Sequence, residues 1–231
     1  MENGSSYFPN VDKITDELVR SFGRPSLGNR PDPFEELLYI ILSSRTPPNN
    51  YSTAFESLLR QFPDHDDLGS ARIEDVSDAI KLGGLQHKKA SYIIESSAKL
   101  NKLFGTVTLE PLRKMTRDEV EKLLTSLPGI SLKTARCVMV YSLDIPVFPV
   151  DVHCFRVSKR LGWAKEGEKL TDKNVNKLQA SIPEKYRKDL HVGMIMLSRT
   201  YCTPKSPKCE SCPIVLYCPT GRINTKNSIN D

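Results

Sequence analysis

The stretch Leu127-Pro128-Gly129-Ile130-Ser131-Leu132-Lys133-Thr134-Ala135 lies between two segments whose apolar residues recur at helical spacing. Gly129 permits a positive φ angle in a tight turn. The first backbone N–H groups of the following helix have no intrahelical partners, so they can bind a phosphate with help from the helix dipole. On these grounds alone, an ordinary proline–glycine turn between two packed helices is the favoured interpretation.

Helical periodicity extends from this hairpin over almost the whole chain. Asp32-Pro33 and the capping box Thr116-Arg117-Asp118-Glu119 are typical helix starts. The proline-bearing residues 144–150 predict a loop, and the polar residues from Thr220 onward predict a frayed end. No segment alternates with the period of two that a strand requires. The pattern therefore predicts an all-α protein.

Composition limits the possible classes of protein. The chain has 231 residues, of which 39% are hydrophobic, and a formal net charge of +5. No apolar run approaches the roughly 18 residues of a membrane-spanning helix. The first ten residues contain neither the cationic nor the apolar stretch of a targeting peptide. We therefore expect a soluble protein without membrane contact, whose mild basic charge permits phosphate binding.

Four of the six cysteines lie close together near the C-terminus, with the spacing C-x6-C-x2-C-x5-C. They are Cys202, Cys209, Cys212 and Cys218. Four thiolates this close in sequence can surround one metal centre, which favours a reducing compartment. Both zinc and an iron–sulfur cluster accept such ligands, so the spacing does not decide between the two.

The hairpin and the cysteine spacing together resemble endonuclease III and its relatives, the helix-hairpin-helix DNA glycosylases. The resemblance extends from about Pro33 to Cys218. It implies a [4Fe–4S] cluster held by the four cysteines. It also implies that the loop between the first two cysteines contacts DNA through Lys205 and Lys208, although exposed lysines without a partner fit the sequence equally well.

The resemblance assigns catalysis to Lys133 in the second hairpin helix and to Asp151 after a proline-containing loop. A neutral lysine amine can attack the sugar C1′ and form a Schiff base. A nearby carboxylate can stabilise the positive charge that develops on the sugar and transfer protons. A helix lysine is usually a solvated charge, and an aspartate before a helix is usually a cap. Their joint placement, 18 positions apart, favours the catalytic interpretation.

The chain departs from the family at the residues that read the DNA. Arg45 stands where the family has a glutamine that fills the gap left by the flipped nucleotide, Pro48 replaces an acidic residue, and Ser131 replaces a second hairpin glycine. Leu85 matches the family's intercalating residue. The residues predicted to contact DNA are Arg45, Leu85, Gln86, Gly129, Ser131, Thr134, Lys205 and Lys208.

The resemblance also predicts the domain organisation: two all-α lobes flanking a DNA cleft. Residues 28–146 are expected to form a six-helix barrel with the helix-hairpin-helix. Residues 1–27 and 147–220 are expected to form the iron–sulfur lobe, and residues 221–231 a flexible tail.

The predicted function is base excision repair of double-stranded DNA by a bifunctional glycosylase and abasic-site lyase. Oxidised pyrimidines are the default substrate, the protein is expected to be a monomer, and its place is the cytoplasm and nucleoid, or the nucleus in a eukaryote. Arg45 keeps open a mismatch or modified-cytosine glycosylase. A non-catalytic iron–sulfur DNA-binding protein is a further alternative, which the presence of Lys133 and Asp151 disfavours.

Overall fold

The computed structural model describes residues 7–227, and these residues contain α-helices and short 3-10 turns but no β-strand. The all-α prediction is therefore confirmed. The α-helices in chain order are α1 (Val11–Phe22), α2 (Pro33–Ser43), α3 (Pro48–Gln61), α4 (Ile73–Ala79), α5 (Gln86–Phe104), α6 (Arg117–Thr125), α7 (Leu132–Tyr141), α8 (Val152–Arg160), α9 (Asp172–Ala180), α10 (Arg187–Thr200) and α11 (Pro219–Asn227). Within the described part of the chain, no helix is both long and apolar enough to span a bilayer.

The chain divides into two compact units. The hairpin unit comprises Gly28–Ile145 and contains α2 to α7. The cysteine unit comprises the residues up to Leu27 together with those from Pro146 onward, and it contains α1 and α8 to α11.

The core of the hairpin unit is organised by helix α2, which begins where the sequence predicts. The Asp32 carboxylate accepts hydrogen bonds from the N–H groups of Phe34 and Glu35 at 2.9 and 2.8 Å. Pro33 occupies the first turn, where a backbone N–H would have no intrahelical partner, so the absence of an N–H in proline costs nothing there. Phe34 and Leu37 are buried. Burial of each such side chain contributes about 1.5–3 kcal/mol, and it holds α2 against α3 and α7.

The capping box at the start of α6 is also present. Thr116 Oγ1 accepts the N–H of Glu119 at 3.4 Å, and the Glu119 carboxylate accepts the N–H of Thr116 at 2.8 Å. Because both bonds lie within four consecutive residues, they form without help from the rest of the fold. Helix α6 therefore starts at a defined residue and leads into the hairpin.

The cysteine unit is built on close packing of α1 against α10. A Cβ atom added at Gly193 would lie 2.7 Å from the Cβ of Leu18, so only glycine allows this approach. Beyond α1, the guanidinium of Arg24 donates two parallel hydrogen bonds to the Asp189 carboxylate. This packing fixes α10, whose C-terminal end leads directly to the first cysteine of the cluster.

The predicted flexible tail from residue 221 is wrong for the residues that the structure describes, because α11 continues to Asn227. Pro219 opens the helix, the N–H of Gly221 donates to Cys218 Sγ at 3.3 Å, and Asn224 Nδ2 donates to Cys209 Sγ at 3.4 Å. Contacts with the cysteine segment therefore order a helix that its polar composition does not predict. Residues 228–231 lie outside the described residues.

Candidate functional site

The hairpin between α6 and α7 has the geometry of a tight turn with an exposed tip. Gly129 has φ 72°, and a Cβ at this position would collide with the ring of Tyr92. Ser131 has φ −80°, an ordinary extended value that needs no glycine, and its Oγ caps α7 by accepting the N–H of Thr134 at 3.3 Å. The serine therefore fits where the resembled family has glycine, and it acts as the N-cap of the helix.

Lys133 is the second residue of α7, is half-buried, and lies in the electrostatic field of a buried acidic group. That group is Glu36 on α2, which is fully buried. Its carboxylate accepts hydrogen bonds from Asn29 Nδ2 and from the N–H of Arg30, the latter at 2.7 Å. Burial raises the pKa of Glu36, and these hydrogen bonds and the charges of Lys133 and Arg30 offset the rise only in part. A Glu36 carboxylate would stabilise the charged ammonium of Lys133. A neutral Glu36 carboxyl stabilises it less and so favours the neutral amine.

The raised pKa of Glu36 predicts a pH-dependent stability. The folded protein binds a proton at Glu36 more tightly than the unfolded chain, so this contribution is present at low pH and is lost as pH rises through the folded pKa. Each unit of elevation corresponds to about 1.4 kcal/mol. We expect Glu36→Gln to gain free energy of unfolding relative to wild type as pH rises from about 4.5, the ordinary glutamate value, through the folded pKa, measured by urea denaturation at a series of pH values. A constant difference across this range would contradict the assignment.

Two loops of the hairpin unit carry residues in a strained backbone conformation. Arg45 lies in the Arg45 loop (residues 43–47) with φ 56°, and Leu85 lies in the Leu85 loop (residues 83–86) with φ 51°. Non-glycine residues in this left-handed region cost about 1–3 kcal/mol each, and they persist where the surrounding structure holds them. Leu85 is nevertheless 54% exposed. The fold therefore holds a large apolar side chain toward solvent on a strained loop.

Most of the predicted DNA-contacting residues of the hairpin unit border one cavity of about 320 Å³. They are Arg45, Leu85, Gly129, Ser131 and Thr134, together with Ser44, Lys88, Lys89 and Tyr92. Gln86, which was predicted with them, begins α5 next to Leu85 and is not one of the residues that border this cavity. Residues separated by almost ninety positions thus share one concave surface with backbone amides, cations and an aromatic ring.

Asp151 lies in the cysteine unit, where it is the N-cap of α8. Its Oδ1 accepts the N–H groups of His153 and Cys154 at 2.9 and 2.8 Å. The loop before it is held against α9, because the backbone N–H of Phe148 donates to Gln179 Oε1 at 2.7 Å. The capping role of Asp151 is thus evident, and it holds the carboxylate in a defined orientation.

The four cysteines border a second cavity, within the cysteine unit. N–H groups are directed at three of the sulfur atoms, from Arg160 Nη1 to Cys202 (3.0 Å), from Asn224 to Cys209 and from Gly221 to Cys218. Burial, together with the smaller effect of the neighbouring cysteines, raises the pKa of the Cys212 thiol to about 11, so a cation is needed to hold it as thiolate. Four sulfur ligands with N–H donors around them fit an iron–sulfur centre.

No three His, Cys, Asp or Glu side chains between residues 7 and 227 lie close enough together to hold a single metal ion.

The loop after Cys202 is held by Arg160, whose guanidinium donates to the carbonyls of Thr203 and Pro204 at 2.9 and 3.0 Å. Lys205 and Lys208 are both exposed on this loop. They are therefore accessible to a phosphate backbone.

Sequence analysis did not identify Glu36, Lys89, Tyr92 or Arg160 as contributors to these sites. Glu36 had one detectable signal, because it lies four positions before the buried Ile40 and so on an apolar helix face. Lys89 had the same signal, because it lies four positions before the buried Ile93, but helical spacing does not show which acceptors surround its ammonium.

Comparison with known proteins agrees with the geometry of these sites. A family model described as HhH-GPD superfamily base excision DNA repair protein matches residues 38–184. A model described as the iron–sulfur binding domain of endonuclease III matches residues 202–218. Endonuclease III of Thermotoga maritima is 30% identical over 221 residues, which cover 96% of this chain and 98% of the relative.

Solved structures give the same result. A non-covalent endonuclease III–DNA complex matches with TM-score 0.78 and 27% identity, and a trapped endonuclease III–DNA covalent intermediate matches with TM-score 0.78 and 28% identity. In both cases, 94% of this chain and 97% of the other are covered.

An all-α chain with a helix-hairpin-helix and a C-terminal four-cysteine segment defines a DNA glycosylase of base excision repair. This chain belongs to the HhH-GPD superfamily, and within it to the endonuclease III-like glycosylases and abasic-site lyases. It binds DNA and carries a [4Fe–4S] cluster. The predicted enzyme class and cofactor are therefore confirmed.

Proposed function

We propose that this protein acts as a monomer on double-stranded DNA, excises a damaged base and then cleaves the strand at the abasic site by β-elimination. Oxidised pyrimidines are the proposed substrates. The observation that carries the proposal is the shared cavity of the hairpin unit, where the hairpin tip, Arg45 and Leu85 meet and where Lys133 lies in the first turn of α7 between Ser131 and Thr134. Its place of action is the chromosomal DNA of the nucleoid or, in a eukaryote, of the nucleus.

DNA binding is assigned to two surfaces. The N-terminal amides of α7 behind Gly129 and Ser131 suit a phosphate, because N–H groups at this end of the helix point outward and the helix dipole favours negative charge there. The exposed Lys205 and Lys208 supply further phosphate contacts whose strength falls with salt. Leu85 is assigned as the wedge that replaces the extruded nucleotide in the base stack.

The chemistry is assigned to Lys133 and Asp151. The neutral Lys133 amine attacks C1′, the glycosidic bond breaks, and the base leaves with its electron pair and gains a proton. The amine nitrogen loses one proton, and its lone pair then breaks the C1′–O4′ bond of the sugar ring, whose oxygen gains a proton. The protonated imine that results at C1′ acidifies the C2′ proton. Its removal expels the 3′ phosphate oxygen, and water then releases the lysine. The Asp151 carboxylate, oriented as the α8 cap, stabilises positive charge on the sugar and handles protons.

Cys202, Cys209, Cys212 and Cys218 are proposed as the cluster ligands. The bound cluster supplies a rigid cross-link between the end of α10 and the start of α11. The proposed contribution of these residues is structural, because they order the loop that carries Lys205 and Lys208.

A second candidate function, a mismatch or modified-cytosine glycosylase, is favoured by one observation. Arg45 borders the shared cavity in place of the family's glutamine. Its planar guanidinium can donate two hydrogen bonds to the O6 and N7 atoms of a guanine. A guanine opposite the extruded base would then be recognised, as a mismatch enzyme requires.

A panel of duplexes tests both candidates, with each lesion placed opposite each of the four bases. We expect excision of an oxidised pyrimidine, with opposite guanine preferred. Arg45→Gln should reduce that preference by roughly tenfold, since a bidentate arginine–guanine contact contributes about 1–3 kcal/mol. The exposed Arg60→Gln on α3 is the matched control.

Three outcomes of this panel are informative. Binding without excision of any lesion would contradict the proposed function. Excision confined to mismatched thymine or modified cytosine would favour the second candidate. Unchanged opposite-base ratios in Arg45→Gln would show that Arg45 contacts only the backbone.

A further inference from the structure

Lys89 on α5 is a buried cation with a complete set of hydrogen bonds. It is 4% exposed, and its Nζ donates to the carbonyl of Leu42, the carbonyl of Gly83 and Oγ1 of Thr46 at 2.7, 2.7 and 2.8 Å. An ammonium has three N–H donors, so all three are used. Desolvation lowers the pKa of Lys89, and three oxygen acceptors around one nitrogen offset this cost.

The three acceptors come from segments about forty residues apart in the sequence. Leu42 and Thr46 lie on either side of Arg45, and Gly83 lies two residues before Leu85. The Thr46 hydroxyl also donates to the Gly83 carbonyl, so the two loops are joined directly as well as through the ammonium. The N–H of Lys89 itself donates to the carbonyl of Leu85 at 3.0 Å.

Both Arg45 and Leu85 have left-handed backbone conformations that need support from neighbouring structure. In the Arg45 loop, that support comes from acceptors on both sides of the strained residue. In the Leu85 loop, it comes from the carbonyl two residues earlier and from the first turn of α5. One side chain therefore contributes to holding both strained residues in place.

We propose that Lys89 is a positioning residue that makes the Arg45 loop and the Leu85 loop act on DNA as one unit. It touches no reacting atom, and the role of the two loops in DNA rests on the function proposed above. Leu85, the wedge, and Arg45, which contacts the opposite strand, then enter the duplex in a fixed arrangement relative to each other. Extrusion of a base and recognition of its partner become one coupled event.

Hydrogen–deuterium exchange of the DNA-free protein tests the structural part of the proposal. Lys89→Met keeps the length of the side chain and removes all three donors. We expect exchange in the Arg45 loop and in the Leu85 loop to accelerate together by roughly tenfold or more. Lys102→Met, at an exposed position on the same helix, is the matched control and should leave both loops unchanged.

Thr46→Val is the second variant, for the case that Lys89→Met does not fold. It keeps the shape of the side chain and removes the hydroxyl that joins the loops, so both should again exchange faster, to a smaller extent. Faster exchange in one loop only, or in neither, would overturn the proposal. This arm needs no catalysis, so its result is independent of the proposed function.

Binding to a duplex with a non-cleavable abasic-site analogue tests the functional part. Arg45→Ala and Leu85→Ala should each weaken capture relative to undamaged duplex. In the wild-type background, the double variant should lose less than the product of the two single losses. In the Lys89→Met or Thr46→Val background, the two losses should multiply. Multiplication in every background would overturn the coupling, whereas a wild-type protein that does not prefer the abasic duplex would refute the proposed function.

Discussion

Lys133→Gln will form no stable adduct when borohydride is added during reaction with abasic-site DNA. Only an amine can form the imine that borohydride reduces, and glutamine has a similar length and polarity without a nucleophilic nitrogen. We expect trapping to fall by about three orders of magnitude or more, whereas DNA binding stays within a few-fold. Gel analysis of the cross-linked product gives the trapping yield. Lys122→Gln, at an exposed position on α6, is the matched control and should trap like wild type.

Asp151→Asn separates charge from capping in the same experiment. Asparagine is as good an N-cap as aspartate, so its Oδ1 keeps the bonds to the N–H groups of His153 and Cys154 and α8 stays intact. Base excision should slow by about 10²–10⁴-fold while the melting temperature changes little. Wild-type trapping by Lys133→Gln would identify another amine as the nucleophile. Wild-type excision by Asp151→Asn would reduce Asp151 to a structural cap.

Cys212→Ala will lose the iron–sulfur cluster and most of the stability of the cysteine unit. Wild-type protein should contain about four irons per chain and show broad visible absorbance, and the variant should show neither. Because the cysteine segment orders the start of α11 and the Lys205–Lys208 loop, the loss should lower the free energy of unfolding by roughly 5 kcal/mol or more. Iron analysis and thermal unfolding measure the two effects.

The matched control for this variant is Cys137→Ala, which removes a buried thiol from α7 in the hairpin unit. It should retain the full iron content, because its sulfur atom does not border the cavity of the four cysteines. A Cys212→Ala protein that keeps four irons would show that Cys212 is not a ligand. Stoichiometric zinc in place of iron after anaerobic purification of the wild type would contradict the cluster itself.

The features that sequence analysis predicted correctly are local ones. The Asp32-Pro33 helix start and the Thr116–Glu119 capping box join residues within three or four positions, so the same atoms meet whatever the rest of the fold does. The loop at residues 144–150 follows from its prolines in the same way. The cysteine spacing and the hairpin indicated the family for a related reason, because the residues that form each motif lie close together in the sequence.

The tail from residue 221 was predicted wrongly because the decisive contacts are not local. Its composition is polar, and an isolated helix of this length is marginal in water. Contacts of Gly221 and Asn224 with cysteine sulfur atoms stabilise α11, and the second of them spans fifteen positions. The roles of Lys133 and Asp151 stay predictions, because they concern chemistry on a bound substrate.

Composition and spacing by themselves determined the helical class, the hairpin and the four-cysteine segment of this protein. Only the tertiary structure decided how a buried lysine is compensated: Lys88 is exposed, whereas the ammonium of Lys89 is surrounded by acceptors from two loops. It likewise decided the burial of Glu36 and the strained conformations of Arg45 and Leu85. The reason is energetic. A charge can be buried, and a strained residue retained, only where several distant groups converge to compensate, and their convergence is a property of the folded chain.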